Sequence, residues 1–187
     1  MRAACKESKN PVLYAIVVLA ITTGMRKSEI LGLRWCDIDL ERSRCMLHET
    51  KNGERRSVPL VGHAKELVSA LAKKSRAREF VFPSPKRERY YDLKIAWEGA
   101  IKRAGIANFR FHDLRHCTAS YLAMNGATSH EIAEVLGHKS LDMVKRYAHL
   151  CDSHVTSIVE RMAVKTFNEI PKENSFLRES EQMATQV

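Results

Sequence analysis

A continuous run of apolar residues near the N terminus lies between a helix-start signal and a helix-stop signal. Asn10 followed by Pro11 is typical of a helix start, because asparagine caps the first turn and proline fits the first helical position. Residues 12–21 are almost entirely apolar, and Gly24 follows as a helix stop. The pattern therefore predicts a helix that ends at Gly24 and a second helix over residues 27–33.

Between residues 37 and 60 the pattern changes to that of short β-strands. The runs DIDL, RCMLHE and RRSVPL are separated by polar turns. The second turn contains Asn52-Gly53, which favours a tight hairpin because both residues tolerate positive φ. The sequence predicts a small three-stranded antiparallel sheet with Lys51 at a hairpin tip.

Beyond Gly62 the helical periodicity returns, apart from an extended segment at residues 80–85. Thr128 and Glu131 have the spacing of a capping box, which predicts a helix start. Three glycines are placed as helix stops: Gly105, Gly126 and Gly137. The fold class predicted from these patterns is α+β, mostly helical with the small sheet at one side.

The last helix predicted from the pattern is amphipathic. Val155, Ile158, Val159 and Met162 fall at positions i, i+3, i+4 and i+7. This apolar stripe either docks onto a neighbouring subunit or folds back on its own domain. Residues 171–187 are polar, and we expect a disordered tail after one domain that spans residues 1–170.

The net charge of the chain indicates which kind of molecule it binds. The 187 residues carry 31 Lys and Arg against 22 Asp and Glu, a net charge of +9 at pH 7. Residues 171–187 hold two bases and three acids, so the excess belongs to the folded body. A basic body favours a polyanion such as nucleic acid.

Two further features concern the compartment. Five cysteines are scattered singly, which suggests neither a disulfide framework nor a zinc knuckle and fits a reducing cytoplasm. The longest apolar run, residues 12–21, is too short to span a bilayer. We therefore expect a cytoplasmic protein.

Several residues could carry chemistry, although each has an ordinary alternative. Arg115 offers a planar fork that matches two phosphate oxygens. His112 and His116, four residues apart, could ligate zinc, but no third ligand is evident. A lone tyrosine such as Tyr147 is more often a core aromatic, and Lys51 on a turn is more often solvated.

Five motifs follow one another along the chain: TGMRKSEILGL around Arg26, the hairpin lysine Lys51, HDLRH with His112 and Arg115, LGH with His138, and MVKRYAHL with Tyr147. Together and in this order they resemble the tyrosine recombinase family, the phage-integrase-like site-specific recombinases. The resemblance covers about residues 10–160, and a chance occurrence of all its motifs in this order is far less probable than any single match.

The resemblance implies a fold and a mechanism. It implies the catalytic-domain fold of that family, without cofactor or metal, and attack of Tyr147 on a DNA phosphodiester to give a 3′-phosphotyrosyl link. Arg26 and Arg115 would clamp the non-bridging oxygens, while His138 would donate a hydrogen bond to the same phosphate. His112 would assist proton transfer at the tyrosine, and Lys51 would protonate the departing 5′-oxygen. Glu29 is expected to orient Arg26 or a neighbouring loop and not to touch DNA.

The resemblance also implies partners. The substrate is double-stranded DNA, on which the family commonly assembles four protomers, and an isolated fragment could be monomeric. The family usually carries an upstream DNA-binding domain, so this chain is expected to be a fragment that lacks it. Three alternatives stay open: a type IB topoisomerase-like enzyme, a catalytically idle DNA-binding regulator, and a metal nuclease.

Overall fold

The computed structural model describes residues 1–48, 55–75, 79–83, 93–147 and 152–168. Within these residues the chain is mostly helical, with one small sheet. The α-helices are α1 (Arg2–Lys6), α2 (Leu13–Thr23), α3 (Lys27–Leu31), α4 (Gly62–Ser75), α5 (Lys94–Arg103), α6 (Asp113–Met124), α7 (Ser129–Leu136) and α8 (Asp152–Asn168). Short 3-10 helices lie at Trp35–Asp37 and Leu141–Met143.

The predicted sheet is confirmed. Its strands are β1 (Ile38–Asp39), β2 (Arg44–Leu47) and β3 (Arg56–Pro59), antiparallel in the order β1-β2-β3. Cys45 pairs with Val58, and Leu47 pairs with Arg56. Cys45 and Leu47 are buried while their neighbours in β2 are exposed, so one face of the sheet covers the core. The predicted tip with Lys51 lies outside the described residues.

Helix α2 is the centre of the main core. Leu13, Ile16 and Leu19 are fully buried, because α2 is apolar on all sides and packs against α1, α3, α4 and α6. A second, smaller cluster lies between α6 and α7 and includes Val144 and Tyr147. The second cluster matters for function because it contains the predicted nucleophile.

Helix boundaries differ from the predicted ones at several points. The prediction that Pro11 is the first helical residue is wrong: α2 begins at Leu13. The side chain of Asn10 still accepts hydrogen bonds from the backbone N–H groups of Val12 and Leu13, at 3.0 and 3.1 Å. Helix α3 ends at Leu31, two residues earlier than predicted, and α1 was not predicted.

Tyr147 lies close to a short 3-10 helix and not on an α-helix. Ser140 caps this 3-10 helix, since its Oγ accepts the backbone N–H of Asp142 at 3.1 Å. A further 3-10 turn at residues 145–147 brings in Tyr147. Such tight turns let the chain bend back toward α6, which a continuous α-helix would not do.

The predicted last helix is present as α8. Its residues Ile158, Val159 and Met162 are 46%, 53% and 58% exposed. Folding back of this apolar stripe onto its own domain is therefore contradicted at these three positions. Val164 and Phe167 extend the exposed apolar surface. Among the described residues, none of the helices has both the length and the apolar character to cross a membrane.

The glycine that ends α7 brings the sheet and the helices together. Thr128 and Glu131 form the predicted capping box at the start of α7, and Gly137 ends the helix in the left-handed region, with φ +64°. The side chain of Arg56, from β3, lies directly against Gly137, where a Cβ atom would collide with the guanidinium. Gly137 is thus needed for both its backbone conformation and its lack of a side chain.

We expect Gly137→Ala to destabilise the protein more than Gly105→Ala. Both glycines have φ +64°, so both variants incur a backbone strain of about 1–2 kcal/mol. A Cβ atom at Gly105 meets no atom within 4 Å, whereas at Gly137 it displaces Arg56, which should add roughly 1–3 kcal/mol. Urea denaturation of the two variants measures the difference. Equal losses would show that Arg56 is not held against this glycine.

Candidate active site

Arg115 occupies the centre of the site. It lies on α6, is 4% exposed, and donates from Nη1 to the carbonyl oxygen of Gly24 and from Nη2 to that of Leu136. Gly24 ends α2 two residues before Arg26, and Leu136 ends α7 two residues before His138. One buried side chain therefore fixes the two segments that carry two other predicted site residues.

The two helix ends also touch directly. A Cβ atom on Gly24 would collide with the side chain of Leu136, so the end of α2 lies directly against the last residue of α7. Thr118, one helical turn beyond Arg115, donates to the carbonyl oxygen of Ile21 at 2.9 Å. This contact explains why α2 must end at a glycine here.

A buried carboxylate links two arginines beside Arg115. Arg26 is the first residue before α3, and its Nη1 atom lies 2.8 Å from Oε1 of Glu29. The other oxygen, Oε2, accepts from the backbone N–H of Arg26 and from Nη2 of Arg56, both at 2.8 Å. The expectation that Glu29 orients Arg26 is confirmed, and Arg56 completes the network.

Arg56 was missed by the sequence analysis. It lies on β3, donates to the carbonyl oxygen of Val135 at 3.0 Å, and so joins the sheet to the end of α7. Burial lowers the pKa of Arg56, although the charge of Glu29 acts in the opposite direction. Nothing in the run RRSVPL distinguishes Arg56 from Arg55, because the distinction arises only when α7 packs on the strand.

His138 lies among these arginines. Its backbone N–H bonds to the carbonyl oxygen of Ala133 at 2.8 Å, and within the described residues its buried Nδ1 atom has no hydrogen-bond partner. Burial and then the charges of Arg115, Arg26 and Arg56 lower the pKa of His138 to about 4. The ring is therefore neutral at pH 7, with one N–H to donate.

Tyr147 reaches α6 through its hydroxyl group. The Oη atom lies 2.6 Å from Nδ1 of His116, and the residue as a whole is 7% exposed. Burial raises the pKa of Tyr147, while the positive charges of Arg146 and Arg115 act to lower it. The structure thus brings Tyr147 to the helix that carries Arg115, across 31 residues of sequence.

His112 and His116 lie next to each other at the start of α6. His112 directly precedes the helix and is exposed to solvent, and its ring meets that of His116 edge-on, with centroids 5.3 Å apart. Burial, then the charges of His116 and Arg115, lower the pKa of His112. From the sequence, His116 was considered only as a zinc ligand. In the structure it is the hydrogen-bond partner of the Tyr147 hydroxyl.

The structure brings together five of the six predicted site residues. Arg26, Arg115 and His138 interact electrostatically, and His112 and Tyr147 join them through α6. The sixth, Lys51, lies outside the described residues and stays a prediction. In the described part of the chain, no three His, Cys, Asp or Glu side chains are grouped as a metal site would require.

Positive charge dominates this cluster. Burial, followed by the charges of Arg26 and Arg56, lowers the pKa of Arg115 to about 10, so the guanidinium stays charged at neutral pH. Glu29 is the buried carboxylate that offsets three arginines. Such a cluster suits a ligand with negatively charged oxygens.

The model of the phage integrase family matches residues 1–154. The chain belongs to the phage integrase family. Its curated relatives include the integrase of Salmonella phage P22, 35% identical over 157 residues, and a shufflon-specific DNA recombinase of Escherichia coli, 39% identical over 143 residues. These alignments cover 77% and 76% of this chain but only 41% and 36% of the two relatives. The chain thus spans about two fifths of their length.

A solved structure confirms the fold of this integrase-family chain. The catalytic domain of bacteriophage HP1 integrase is 28% identical, with a TM-score of 0.64. The match covers 91% of this chain and 90% of that one. The predicted tyrosine recombinase catalytic-domain fold is therefore confirmed.

We expect Glu29→Gln to lower the free energy of unfolding by about 3 kcal/mol, because it leaves two largely buried guanidinium groups, neither of them fully buried, without their counter-charge. The side chain of Glu29 is 3% exposed, and those of Arg26 and Arg56 are 19% and 12% exposed.

Glu79→Gln is the matched control. Glu79 is 62% exposed and pairs with Arg34 at 3.4 Å. Loss of this ion pair should lower the free energy of unfolding by less than about 1 kcal/mol, as is usual for a surface ion pair. Chemical denaturation measures the free energy of unfolding of both variants. Similar losses of stability in the two would mean that Glu29 does not hold the arginine network.

Proposed function

We propose that this chain is the catalytic domain of a site-specific DNA recombinase that cuts and rejoins strands through a phosphotyrosyl bond at Tyr147. Membership of the phage integrase family supports this function, as does similarity to a relative named as a DNA recombinase. A net charge of +9 suits DNA as partner. The two relatives extend well beyond the matched region, and the proposal concerns the reaction of this domain.

The contact of Tyr147 with α6 carries the proposal. A tyrosine with an ordinary core role would bury its hydroxyl against any available acceptor. Here the Oη atom is hydrogen-bonded to His116. His116 follows Arg115 in the sequence, and the positive charge of Arg115 acts to lower the pKa of Tyr147. The candidate nucleophile is therefore adjacent to the group that would bind the phosphate.

The reaction would proceed by transesterification. The Tyr147 oxygen attacks phosphorus, the bond to the 5′-oxygen breaks, and the new phosphotyrosyl bond conserves the energy needed for rejoining. Arg26 and Arg115 bind the non-bridging oxygens and stabilise the charge that develops on them. His138, neutral at pH 7, donates its ring N–H to the same phosphate, and Lys51 protonates the 5′-oxygen.

We further propose that the domain assembles on DNA as a tetramer. The exposed apolar side chains of α8 support this assembly, because Ile158, Val159 and Met162 offer a stripe that a neighbouring protomer could cover. Residues 1–170 would form the catalytic unit.

Tyr147→Phe should bind DNA as the unaltered chain does but form no covalent complex on a nicked suicide substrate, because the nucleophilic oxygen is absent. Tyr121→Phe is the matched control: this tyrosine lies on α6 and is 56% exposed, so its variant should trap DNA normally. Denaturing gel electrophoresis measures the covalent product.

If Tyr147→Phe still became attached to DNA, the proposed nucleophile would be wrong. If the unaltered chain bound DNA and never formed a covalent product, the chain would be a DNA-binding regulator. Relaxation of supercoiled plasmid without exchange of partners would favour the topoisomerase-like alternative.

A further inference from the structure

The hydroxyl of Tyr147 has a defined hydrogen-bond partner in the described part of the chain. The Oη atom lies 2.6 Å from Nδ1 of His116, within the range of a short, well-formed hydrogen bond. The two rings are tilted by 40° with centroids 6.4 Å apart, so the contact is made at the ring edges. His116 is therefore placed to exchange a proton with the oxygen that the proposed function makes the nucleophile.

His112, by contrast, lies behind His116. It meets the ring of His116 edge-on and is exposed to solvent, and the structure gives it no bond to the tyrosine hydroxyl. A general base must lie within hydrogen-bond reach of the proton that it takes. By that criterion His116 is the better candidate, although the resemblance to the family assigned this role to His112.

We propose that His116 accepts the phenolic proton of Tyr147 during DNA cleavage and returns it during rejoining. The proposal rests on the proposed function. As the Tyr147 oxygen bonds to phosphorus, its proton passes to Nδ1 of His116, which becomes an imidazolium. The bond from phosphorus to the 5′-oxygen breaks, and that oxygen takes a proton from the general acid, proposed above to be Lys51. Rejoining reverses each transfer.

The chemistry of the tyrosine explains why an acceptor is needed. A phenol is a poor nucleophile until it loses its proton, and burial raises the pKa of Tyr147. The charge of Arg115 acts to lower that pKa but does not remove the proton. The imidazole of His116, bonded directly to the hydroxyl, can serve as that acceptor.

Other groups surround His116. In the part of the chain that the structure describes, the titratable side chains near His116 include Tyr147 on the 3-10 turn, His112 and Cys117 on α6, and His138 at the end of α7. The low pKa of His138, about 4, keeps that ring uncharged at pH 7, so it does not repel a transient charge on His116. Arg115 lies adjacent on α6 but directs two of its N–H groups to backbone carbonyls.

Two variants separate proton acceptance from positioning. In His116→Asn the amide can occupy the place of Nδ1 and hold the tyrosine hydroxyl, but it cannot take a proton at neutral pH. His116→Ala removes both functions and leaves space for free imidazole. His130→Asn, at an exposed position on α7, is the control for the substitution itself.

Single-turnover cleavage of a nicked suicide substrate is measured for each variant, with DNA binding measured separately. We expect His116→Asn and His116→Ala to bind DNA within about twofold of the unaltered chain and to cleave it roughly 10²- to 10⁴-fold more slowly. Added imidazole should restore part of the rate to His116→Ala only. Rejoining by covalent complexes isolated from the two variants should be slowed as well.

Cleavage by His116→Asn at the rate of the unaltered chain would overturn the proposal and leave His116 as a positioning residue. Loss of rate in both variants without imidazole rescue, accompanied by a lower unfolding temperature, would also overturn it, because that pattern indicates a structural role. Tyr147→Phe is run in parallel. Covalent trapping by that variant, or by none of the proteins, would refute the proposed function itself and with it the role of His116.

Discussion

Arg115 is buried where the ends of α2 and α7 meet, and its guanidinium bonds to a backbone carbonyl of each. Helix ends leave carbonyl groups without intrahelical partners, and here one cation satisfies two of them. Because Arg26 and His138 each follow within two residues of these carbonyls, their positions depend on this contact. Tyr147 completes the arrangement by bonding to the residue that follows Arg115 on α6.

Glu29 balances this concentration of charge. One buried carboxylate contacts Arg26 and Arg56, while Arg115 is held by carbonyl dipoles instead of a formal negative charge. The cluster therefore keeps a net positive charge, which lowers the pKa of His138 and suits the phosphate that the proposed reaction requires. Arg56 extends the network from the sheet to Gly137, so the hairpin strands and the helical part of the site are mechanically connected.

Local features of this fold could be predicted from sequence because they depend on neighbouring residues. The capping box at Thr128, the glycine stops and the three-stranded sheet follow from side-chain chemistry within a few positions. Resemblance of the motifs to a family also predicted Arg26, Arg115, His138 and Tyr147 as site residues. The structure places them in one cluster, while their roles stay proposals.

Features that depend on long-range packing could not be predicted in the same way. The role of Arg56 appears only where β3 meets α7, and the 3-10 turn at Tyr147 is set by packing into the second core cluster. His116 was visible beside Arg115 in HDLRH, and its spacing from His112 had suggested zinc. Its contact with a tyrosine 31 residues away has no counterpart in local sequence.

The central claim is that Arg115 holds the site together, and Arg115→Lys tests it most directly. A lysine ammonium is a single point of charge and cannot bond to both carbonyls as the fork does. Hydrogen exchange should show faster exchange of backbone amides in residues 24–27 and 136–139, with covalent trapping of DNA lost. Arg110→Lys, at an 84% exposed side chain, should change neither. Unaltered exchange and near-normal trapping in Arg115→Lys would contradict this account of the site.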